Sequence, residues 1–288
     1  MEKEIKHYKS AGFLLKPNSP EIKEIYHNIK EKFNKFNIDV FLEKNSANMI
    51  KEKDGIEFDQ MCKKCDFLVS LGGDGTLLSL VRRSYKYNKP VAGINAGNLG
   101  LLADVRINEV ENFLTQLKNG ECRIDERMMI NGLIKKEDKE INFYAFNDVV
   151  ITRPVISKMA TIEVYVDGDL INSYRGDGLI ISTPTGSTAY NLAADGPVMY
   201  PLTKAFILTP ICPHSLTQRP LVMPADFTIE IKTPNKKLMV VVDGQDNYEL
   251  TNKDSLIIKG ACKSAKLLHR KERNYFRVLR EKLSWGEN

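Results

Sequence analysis

The chain as far as Gly120 alternates between short apolar runs and segments with helical periodicity. Ala11 to Leu15 predicts a first strand, after which Ser19 and Pro20 supply an N-cap and a proline at the first helical position. Apolar residues then recur at helical spacing, at Ile22, Ile25, Tyr26, Ile29, Phe33 and Phe36. Further strands are predicted at Ile38 to Leu42, Asp66 to Leu71 and Val91 to Ile94, and a helix at Thr76 to Tyr87. This alternation is typical of a parallel sheet covered by helices.

From about Cys122 the pattern changes to successive short strands separated by turn residues. One helical stretch is expected there, from Ser187 to Ala193, and a terminal helix from Tyr275 to Leu283. The strands are predicted at Met128 to Ile134, Ile141 to Phe146, Thr161 to Val166, Leu170 to Tyr174, Leu179 to Thr183, Phe227 to Ile231, Leu238 to Val242 and Leu256 to Ile258. The pattern therefore predicts an α/β domain over 1–121 and a mostly β domain over 122–270. Residues 271–288 would form a C-terminal helix that packs back on the first domain through Phe276, Leu279 and Leu283.

Composition excludes several classes of protein. With 288 residues and 42% hydrophobic content, the chain can bury one or two cores and is neither disordered nor fibrous. The net charge of +5 is spread without a basic block, which disfavours nucleic acid as a partner. No apolar run approaches the roughly 20 residues that span a bilayer, and the N-terminus lacks the apolar stretch of a signal peptide. A cytoplasmic protein without a membrane partner is expected.

The five cysteines are odd in number and scattered, which does not fit a disulfide framework. Cys62 and Cys65 have the C-x-x-C spacing of zinc and redox sites, but the sequence has no second pair and no histidine cluster near them. The favoured interpretation is a pair of thiols on a surface segment.

Gly72-Gly73-Asp74-Gly75-Thr76 lies between a predicted strand and a predicted helix, where an α/β sheet binds its ligand. Glycines allow backbone N–H groups to approach a phosphate, and the N-terminus of the helix attracts it. A carboxylate beside a phosphate is costly unless it handles a metal or a proton, so Asp74 is a candidate base for an attacking hydroxyl. The alternative is a glycine turn with a helix-capping aspartate. The turn has neither a Walker A ending nor a G-x-G-x-x-G pattern, which disfavours a hydride-transfer enzyme.

The Gly-Gly-Asp-Gly-Thr motif resembles the signature shared by NAD kinases, ATP-dependent phosphofructokinases and diacylglycerol or sphingosine kinases. The segment from Arg175 to Tyr190 combines a charged turn, an apolar strand and a polar glycine loop, and it resembles NAD kinases specifically. Other similar segments are Asn147-Asp148, Pro210 to Leu216 with Arg219-Pro220, Asp243-Gly244-Gln245 and Leu279 to Trp285. The resemblance runs in order from about residue 10 to residue 285.

The resemblance implies transfer of a terminal phosphoryl group, from ATP or another phosphate donor, to the 2′-hydroxyl of the adenosine ribose of NAD, which gives NADP. It implies a Rossmann-like α/β N-terminal domain, a mostly β C-terminal domain, a site between them and a homo-oligomer. A divalent cation, Mg²⁺, would bridge the donor phosphates. Because the sequence lacks a dense carboxylate cluster, the phosphates and water are expected to hold this cation.

The resemblance also implies roles for individual residues. Asp74 would be the general base, and Gly72, Gly73 and Gly75 would shape the pocket for NAD and the donor phosphates. Asn147 and Asp148 match a pair that holds the ribose hydroxyls and adenosine; many family members have Asn-Glu there, so the shorter acid leaves the contact distance open. The remaining NAD-binding candidates are Lys158, Arg175, Asp177, Thr188, Ala189, Tyr190, Asn191 and Gln245.

Structural explanations compete with several of these assignments. Asp148 and Asp177 could be turn or capping acids, Arg175 a solvated charge and Tyr190 a half-buried aromatic residue. His214 is expected in a rigid proline-rich turn rather than as a base. For the whole chain, the alternatives are a lipid or sugar kinase with the same phosphate turn, and an NAD sensor without activity. Asp74 argues against the sensor, because binding alone gains nothing from an acid beside phosphates.

Overall fold

The structure is a computed structural model that describes residues 8–97, 100–154, 159–235 and 237–285. The chain divides into two compact units. The first unit consists of Met1–Asp125 with Lys266–Asn288, and the second unit is Glu126–Ala265. In the described part of the chain, no helix has both the length and the apolar character needed to cross a membrane.

Strands and helices alternate from the start of the first unit. The strands are β1 (Ser10–Leu15), β2 (Asp39–Glu43), β3 (Gly55–Ile56), β4 (Phe67–Gly72), β5 (Pro90–Asn95), β6 (Val105–Arg106) and β7 (Arg123–Arg127). The helices are α1 (Lys23–Lys35), α2 (Lys44–Met49), α3 (Phe58–Lys64), α4 (Asp74–Ser84) and α5 (Val110–Lys118). Helix α1 buries Tyr26, Ile29 and Phe33, and the rings of Tyr26 and Phe33 pack edge-on against Phe13 of β1. The amphipathic spacing seen in the sequence thus fixes this helix on the sheet.

The second unit consists mostly of antiparallel strands. These are β8 (Ile130–Lys135), β9 (Glu140–Ala145), β10 (Asp148–Thr152), β11 (Ala160–Val166), β12 (Asp169–Gly176), β13 (Gly178–Ser182), β14 (Ala205–Ile211), β15 (Leu221–Pro224), β16 (Ile229–Lys232), β17 (Leu238–Val242), β18 (Asp246–Leu250) and β19 (Ser255–Gly260). Helix α6 is Tyr190–Ala193. One sheet has the order β15-β14-β13-β10-β17-β18 and the other β12-β11-β16-β19-β8-β9. Alternate residues of both sheets form one buried cluster, as in a β-sandwich.

The chain then returns to the first unit with β20 (Ala265–His269) and α7 (Tyr275–Leu283). The order of the first sheet is β3-β2-β1-β4-β5-β20-β7, with β6 also paired to β5. The pairings among β1 to β6, and that of β20 with β5, are parallel. The predicted combination of an α/β domain with a mostly β domain is confirmed. The compact units meet after Asp125 and after Ala265, and β7 and β20 both belong to the first sheet.

Several local predictions were wrong. Cys62 and Cys65 are fully buried rather than on a surface segment, and burial raises the pKa of each thiol to about 12. The helix expected from Ser187 to Ala193 is a single 3-10 turn followed by the short α6, because the backbone of Ala189 leaves the helical region. In α7 the buried residues are Tyr275, Val278 and Leu279, whereas Phe276 is 62% exposed.

Candidate functional site

The glycine-rich turn of the first unit joins the buried strand β4 to helix α4, with Gly73 at the N-cap and Asp74 as the first helical residue. A Cβ atom added to Gly73 or Gly75 would meet no described residue within 4 Å, and neither glycine has a positive φ. Neither packing nor backbone conformation therefore requires glycine at these two positions. The open space above them suits a ligand at the N-terminus of α4. Gly72 differs, since its Cβ would lie 2.5 Å from Thr76 Oγ1, so this glycine serves local packing.

The carboxylate of Asp74 is bound by three consecutive backbone N–H groups, those of Leu101, Leu102 and Ala103, which we call the amide cradle. Oδ2 accepts from Leu101 N at 2.8 Å, and Oδ1 accepts from Leu102 N at 3.1 Å and from Ala103 N at 2.9 Å. A carboxylate offers about four acceptor positions, two on each oxygen. Oδ1 accepts two of the three hydrogen bonds and Oδ2 accepts one, so one acceptor position remains on Oδ2. These contacts differ from those of a helix cap, which would accept from its own helix. Asp74 is thus a fixed acceptor with room for one further hydrogen bond.

In the second unit, Asp243 binds the segment that contains Asn147 and Asp148 in the same way. Its Oδ1 accepts from Asn147 N at 2.7 Å and Asp148 N at 2.9 Å, and its Oδ2 accepts from Phe146 N at 2.7 Å. Asp243 follows β17 in a left-handed turn conformation, with φ of 50°. The family resemblance covers the segment of Asp243 but implies a role only for Gln245. The sequence signal for Asp243 is an acid at the end of an apolar strand, followed by Gly244.

Asp148 is 4% exposed, and its carboxylate forms no hydrogen bond or ion pair with any residue that the structure describes. Burial, with a smaller contribution from the Asp243 carboxylate, raises the pKa of Asp148 to about 7. Asn147 Oδ1 and Thr185 Oγ1 are also buried without a hydrogen-bond partner among the described residues. Buried acceptors of this kind are costly unless a ligand supplies donors. Thr185 was not among the candidate residues from the sequence.

The pKa of Asp148 leads to a prediction about stability. Folding disfavours the charged form of Asp148, so ionisation of this carboxyl lowers the free energy of unfolding. This loss of stability is absent below the ordinary pKa of 3.8, grows as the pH rises and is complete above about 7. Asp148→Asn removes this loss. Because one pKa unit corresponds to about 1.4 kcal/mol, we expect the variant to be more stable than the wild type by roughly 1–3 kcal/mol at about pH 8, with little difference near pH 4. Urea denaturation at both pH values measures this.

The matched control for this prediction is Asp177→Asn. The Asp177 carboxylate forms an ion pair with Arg153, at 2.7 Å between Oδ1 and Nη2. Its replacement should lower the free energy of unfolding or leave it unchanged at either pH. If Asp148→Asn also lowered the free energy of unfolding at about pH 8, the Asp148 carboxylate would not be destabilising and the prediction would be wrong.

The polar loop before α6 contains candidates with different surroundings. Asn191 is fully buried, and both polar atoms of its amide are hydrogen-bonded. Nδ2 donates to the carbonyls of Ser187 and Pro197, and Oδ1 accepts from Thr209 Oγ1 at 2.6 Å. Asn191 therefore shapes the loop and presents no open polar atom. Tyr190, by contrast, is 48% exposed, and Thr188 and Ala189 are half-buried.

Arg175 and Asp177 lie at the other end of β10 from Asp148. The pairing of β10 with β13 sets Asp148 opposite Ser182 and Thr152 opposite Gly178, next to Asp177. At roughly 3.3 Å per residue, the four steps along β10 separate Asp148 from the end beside Asp177 by about 13 Å. Arg175 is exposed, and its carbonyl accepts from the backbone N–H of His214. A ligand that contacts both groups must be extended, as a dinucleotide is.

The remaining candidates are less defined. Gln245 is exposed in the turn after Asp243, and its N–H donates to the carbonyl of Val242. Lys158 lies outside the described residues. His214 is exposed in its proline-containing turn. Within the second unit, Asp243 therefore binds the backbone of Asn147 and Asp148, and Gln245 lies two residues after Asp243 in the same turn.

Comparisons with known proteins agree along nearly the whole chain. Residues 11–122 match the family model of the ATP-NAD kinase N-terminal domain, and residues 146–270 match that of the ATP-NAD kinase C-terminal domain. The chain is similar to the NAD kinase of Sulfurimonas denitrificans, with 50% identity over 97% of this chain and 98% of that protein. It is also similar to the NAD kinase of Wolinella succinogenes, with 49% identity over 96% of both chains.

Two solved structures have a similar fold. One is yeast NADH kinase complexed with NADH, with a TM-score of 0.88 and 24% identity over 98% of this chain and 89% of that chain. The other is an NAD kinase from Archaeoglobus fulgidus in complex with ATP, with a TM-score of 0.76 and 26% identity over 96% of this chain and 98% of that chain.

Proposed function

The chain belongs to the NAD kinase family, and from this membership we propose how its residues phosphorylate NAD. The reaction joins the terminal phosphoryl group of ATP to the 2′-hydroxyl of the adenosine ribose, giving NADP and ADP. The observation that carries the proposal is the Asp74 carboxylate, held by three N–H groups with one acceptor position left for a hydroxyl.

Asp74 would act as the general base of this step. The 2′-oxygen forms a bond to the terminal phosphorus, while the bond from that phosphorus to the bridging oxygen breaks and its electron pair leaves with ADP. The proton of the 2′-hydroxyl passes to Asp74 Oδ2. The amide cradle keeps the carboxylate oriented before the substrate arrives, so little reorganisation is needed.

The turn at Gly73 and Gly75 would bind the donor phosphates. Both positions are open above the backbone, and α4 begins between them. Backbone N–H groups at a helix N-terminus, together with the positive end of the helix dipole, are suited to anionic oxygens. A side chain at either position would occupy the space that we assign to the phosphates.

Residues of the second unit would bind NAD. Asn147 Oδ1, the Asp148 carboxylate and Thr185 Oγ1 are acceptors without described partners, and ribose hydroxyls are donors that would satisfy them. Tyr190 offers an exposed ring for a base. Thr188, Ala189, Arg175, Asp177, Gln245 and Lys158 remain proposed NAD contacts, whereas Asn191 would position its loop.

We propose that Mg²⁺ arrives with the nucleotide. Among the described residues, no group of three or more histidine, cysteine, aspartate or glutamate side chains could hold a metal ion. The described side chains thus offer no protein cage for a cation. Bound to the phosphates, the cation would neutralise their charge.

A homo-oligomer is proposed because apolar side chains stay exposed on two edge strands of the second unit. Leu170 and Ile171 of β12 are 57% and 40% exposed, and Leu221 and Val222 of β15 are 41% and 45% exposed. Ile171 and Leu221 line the same cleft of about 410 Å³. Exposed apolar groups that lie together favour association. Sedimentation analysis of the purified protein tests this, and a monomer at assay concentration would contradict it.

A cytoplasmic location is also proposed. Cys62, Cys65 and Cys212 are thiols rather than disulfides. Thiols persist in a reducing compartment, where disulfides are rare.

The experiment that tests the proposed function compares phosphate donors. Purified protein is given NAD and Mg²⁺ with either ATP or polyphosphate, and NADP is measured with and without a chelator. We expect NADP with ATP and a loss of product on chelation, because the donor phosphates need their charge neutralised. Binding of NAD without product from either donor would favour an NAD sensor, and full activity in the chelator would contradict the proposed cation.

A further inference from the structure

A buried group of charged side chains in the first unit contacts the segment that carries the amide cradle. Arg273 Nε is 2.5 Å from Asp104 Oδ2, and His269 Nδ1 is 3.1 Å from the same oxygen. Asp125 Oδ2 is 3.5 Å from Arg273 Nη1 and 3.6 Å from His269 Nε2. Arg273, Asp104, Asp125 and His269 are each at most 7% exposed. The proposed reaction assigns no role to any of these groups.

Arg273 contacts both ends of the segment that forms the amide cradle. Its Nη2 donates to the carbonyl of Leu101 at 2.8 Å, and its Nε faces Asp104, the residue directly after Ala103. The N–H groups that bind Asp74 belong to Leu101 itself and to the two residues between these contacts, Leu102 and Ala103. Arg273 thus holds the Leu101 carbonyl by a hydrogen bond and the Asp104 carboxylate by an ion pair, at the start and the end of the segment that orients the Asp74 carboxylate.

Stability alone is a weak reason for such an arrangement. Two buried charges lose their hydration, and apolar side chains of similar volume often serve a core equally well. A guanidinium instead carries its nitrogen atoms in one rigid plane, so an ion pair on one side and a hydrogen bond on the other restrain the two partners relative to each other. The arrangement is therefore better suited to holding a geometry than to adding stability.

We propose that Arg273, together with Asp104, is a positioning residue for Asp74 and acts through the amide cradle. The inference rests on the proposed role of Asp74 as the base. It implies that the segment after β20 contributes to the chemical step although Arg273 does not touch the Asp74 side chain in the described contacts.

The test compares Arg273→Lys and Arg273→Met with the wild type. Lysine keeps the charge beside Asp104 but cannot contact Asp104 and the Leu101 carbonyl as a fork, so the cradle loses one restraint. We expect kcat to fall roughly 10-fold for the lysine variant and roughly 100-fold for the methionine variant, since small displacements of reacting groups have effects of this size. NAD affinity, measured by calorimetry, should stay close to that of the wild type. The lysine variant answers the question if the methionine variant does not fold.

Gln116→Met is the matched control. Gln116 Nε2 donates to both oxygens of Glu272, at 2.6 and 2.9 Å, and its Oε1 accepts from Lys271 N at 2.9 Å. It therefore attaches the same terminal segment to α5 without contacting the cradle. This variant should lose thermal stability while keeping kcat. An equal loss of kcat in the Gln116 and Arg273 variants would overturn the inference, because docking of the terminal segment alone would explain both.

A double-mutant cycle separates positioning from general damage. If Arg273 acts through Asp74, Arg273→Lys should lower the residual kcat of Asp74→Asn much less than it lowers that of the wild type. The same factor in both backgrounds would overturn the inference. Failure of the proposed function is distinct, since it would appear as no NADP from the wild type or as full turnover by Asp74→Asn. If Asp74→Asn loses turnover and both Arg273 variants keep it, only this inference fails.

Discussion

Asp74→Asn is expected to lower kcat by a factor of about 10² to 10⁴, the usual contribution of a positioned general base. Asparagine has nearly the same shape as aspartate but cannot take up the proton of the 2′-hydroxyl at neutral pH. NAD affinity should be nearly unchanged, because the proposed NAD contacts belong mainly to other residues, such as Asn147 and Asp148. Turnover is measured as NADP formation, and binding by titration calorimetry.

Asp66→Asn is the control for this substitution. Asp66 is also half-buried, and its Oδ2 accepts from Lys9 N at 2.8 Å, Ser10 N at 3.0 Å and Ser10 Oγ at 3.0 Å. It precedes β4, whereas Asp74 follows that strand. Asp66→Asn should therefore lower stability and keep kcat. Equal turnover in the wild type and Asp74→Asn would remove Asp74 as the base, and a loss of NAD binding in Asp74→Asn would make it a binding residue.

Gly100→Ala is expected to have the second large effect. A Cβ atom at Gly100 would overlap the Asp74 carboxylate, so either that side chain or the loop must move. The displacement would break the hydrogen bonds of the amide cradle. Because a misplacement of about 1 Å can cost about 100-fold in rate, we expect kcat to fall by at least that order. Steady-state kinetics with saturating ATP and NAD measures it.

Gly97→Ala is the matched control in the same loop. Among the described residues, the atom nearest to a Cβ at Gly97 would be Asn95 Oδ1, at 3.9 Å. This variant changes the backbone entropy of the loop to a similar extent but leaves the Asp74 carboxylate in place. It should retain most of the wild-type kcat. If Gly100→Ala were as active as Gly97→Ala, the position of the Asp74 carboxylate would not limit the reaction.

Local signals account for the parts of the fold that the sequence predicted. Strand β4, the glycine turn and α4 follow one another within a short segment, so apolar run, turn residues and helical spacing could be recognised together. Helix α5 is absent from the predicted elements, although its buried residues Val110, Phe113, Leu114 and Leu117 recur at helical spacing. Strand β20 was missed because only its pairing with β5, far back in the chain, makes it a strand of the first sheet.

The contacts that orient the candidate site could not be predicted in this way. The amide cradle is 27 to 29 residues from Asp74, and Asp104 is 165 residues from His269. No periodicity links such positions, and a backbone N–H carries no sequence identity. Only the resemblance to a family could assign roles to Asn147 and Asp148, and it did not reveal that their loop is held by Asp243.

The two units use the same physical device. In each, an aspartate beside the end of a buried strand binds three consecutive backbone N–H groups, those of residues 101–103 for Asp74 and 146–148 for Asp243. Charge-assisted hydrogen bonds of this kind are stronger than neutral ones. They fix residues 101–103, which have no regular secondary structure, and the turn that leads into β10.

The position of the transferred phosphate directly tests whether the chain phosphorylates NAD at the 2′-hydroxyl. Purified protein is incubated with NAD, ATP and Mg²⁺, and the product is analysed by phosphorus NMR and by reduction with an NADP-specific dehydrogenase. If the chain phosphorylates NAD as proposed, the product carries its phosphate on the 2′-oxygen of the adenosine ribose and is fully reduced by that enzyme. Bound NAD that remains unphosphorylated, or a phosphate at another position, would contradict the proposed reaction.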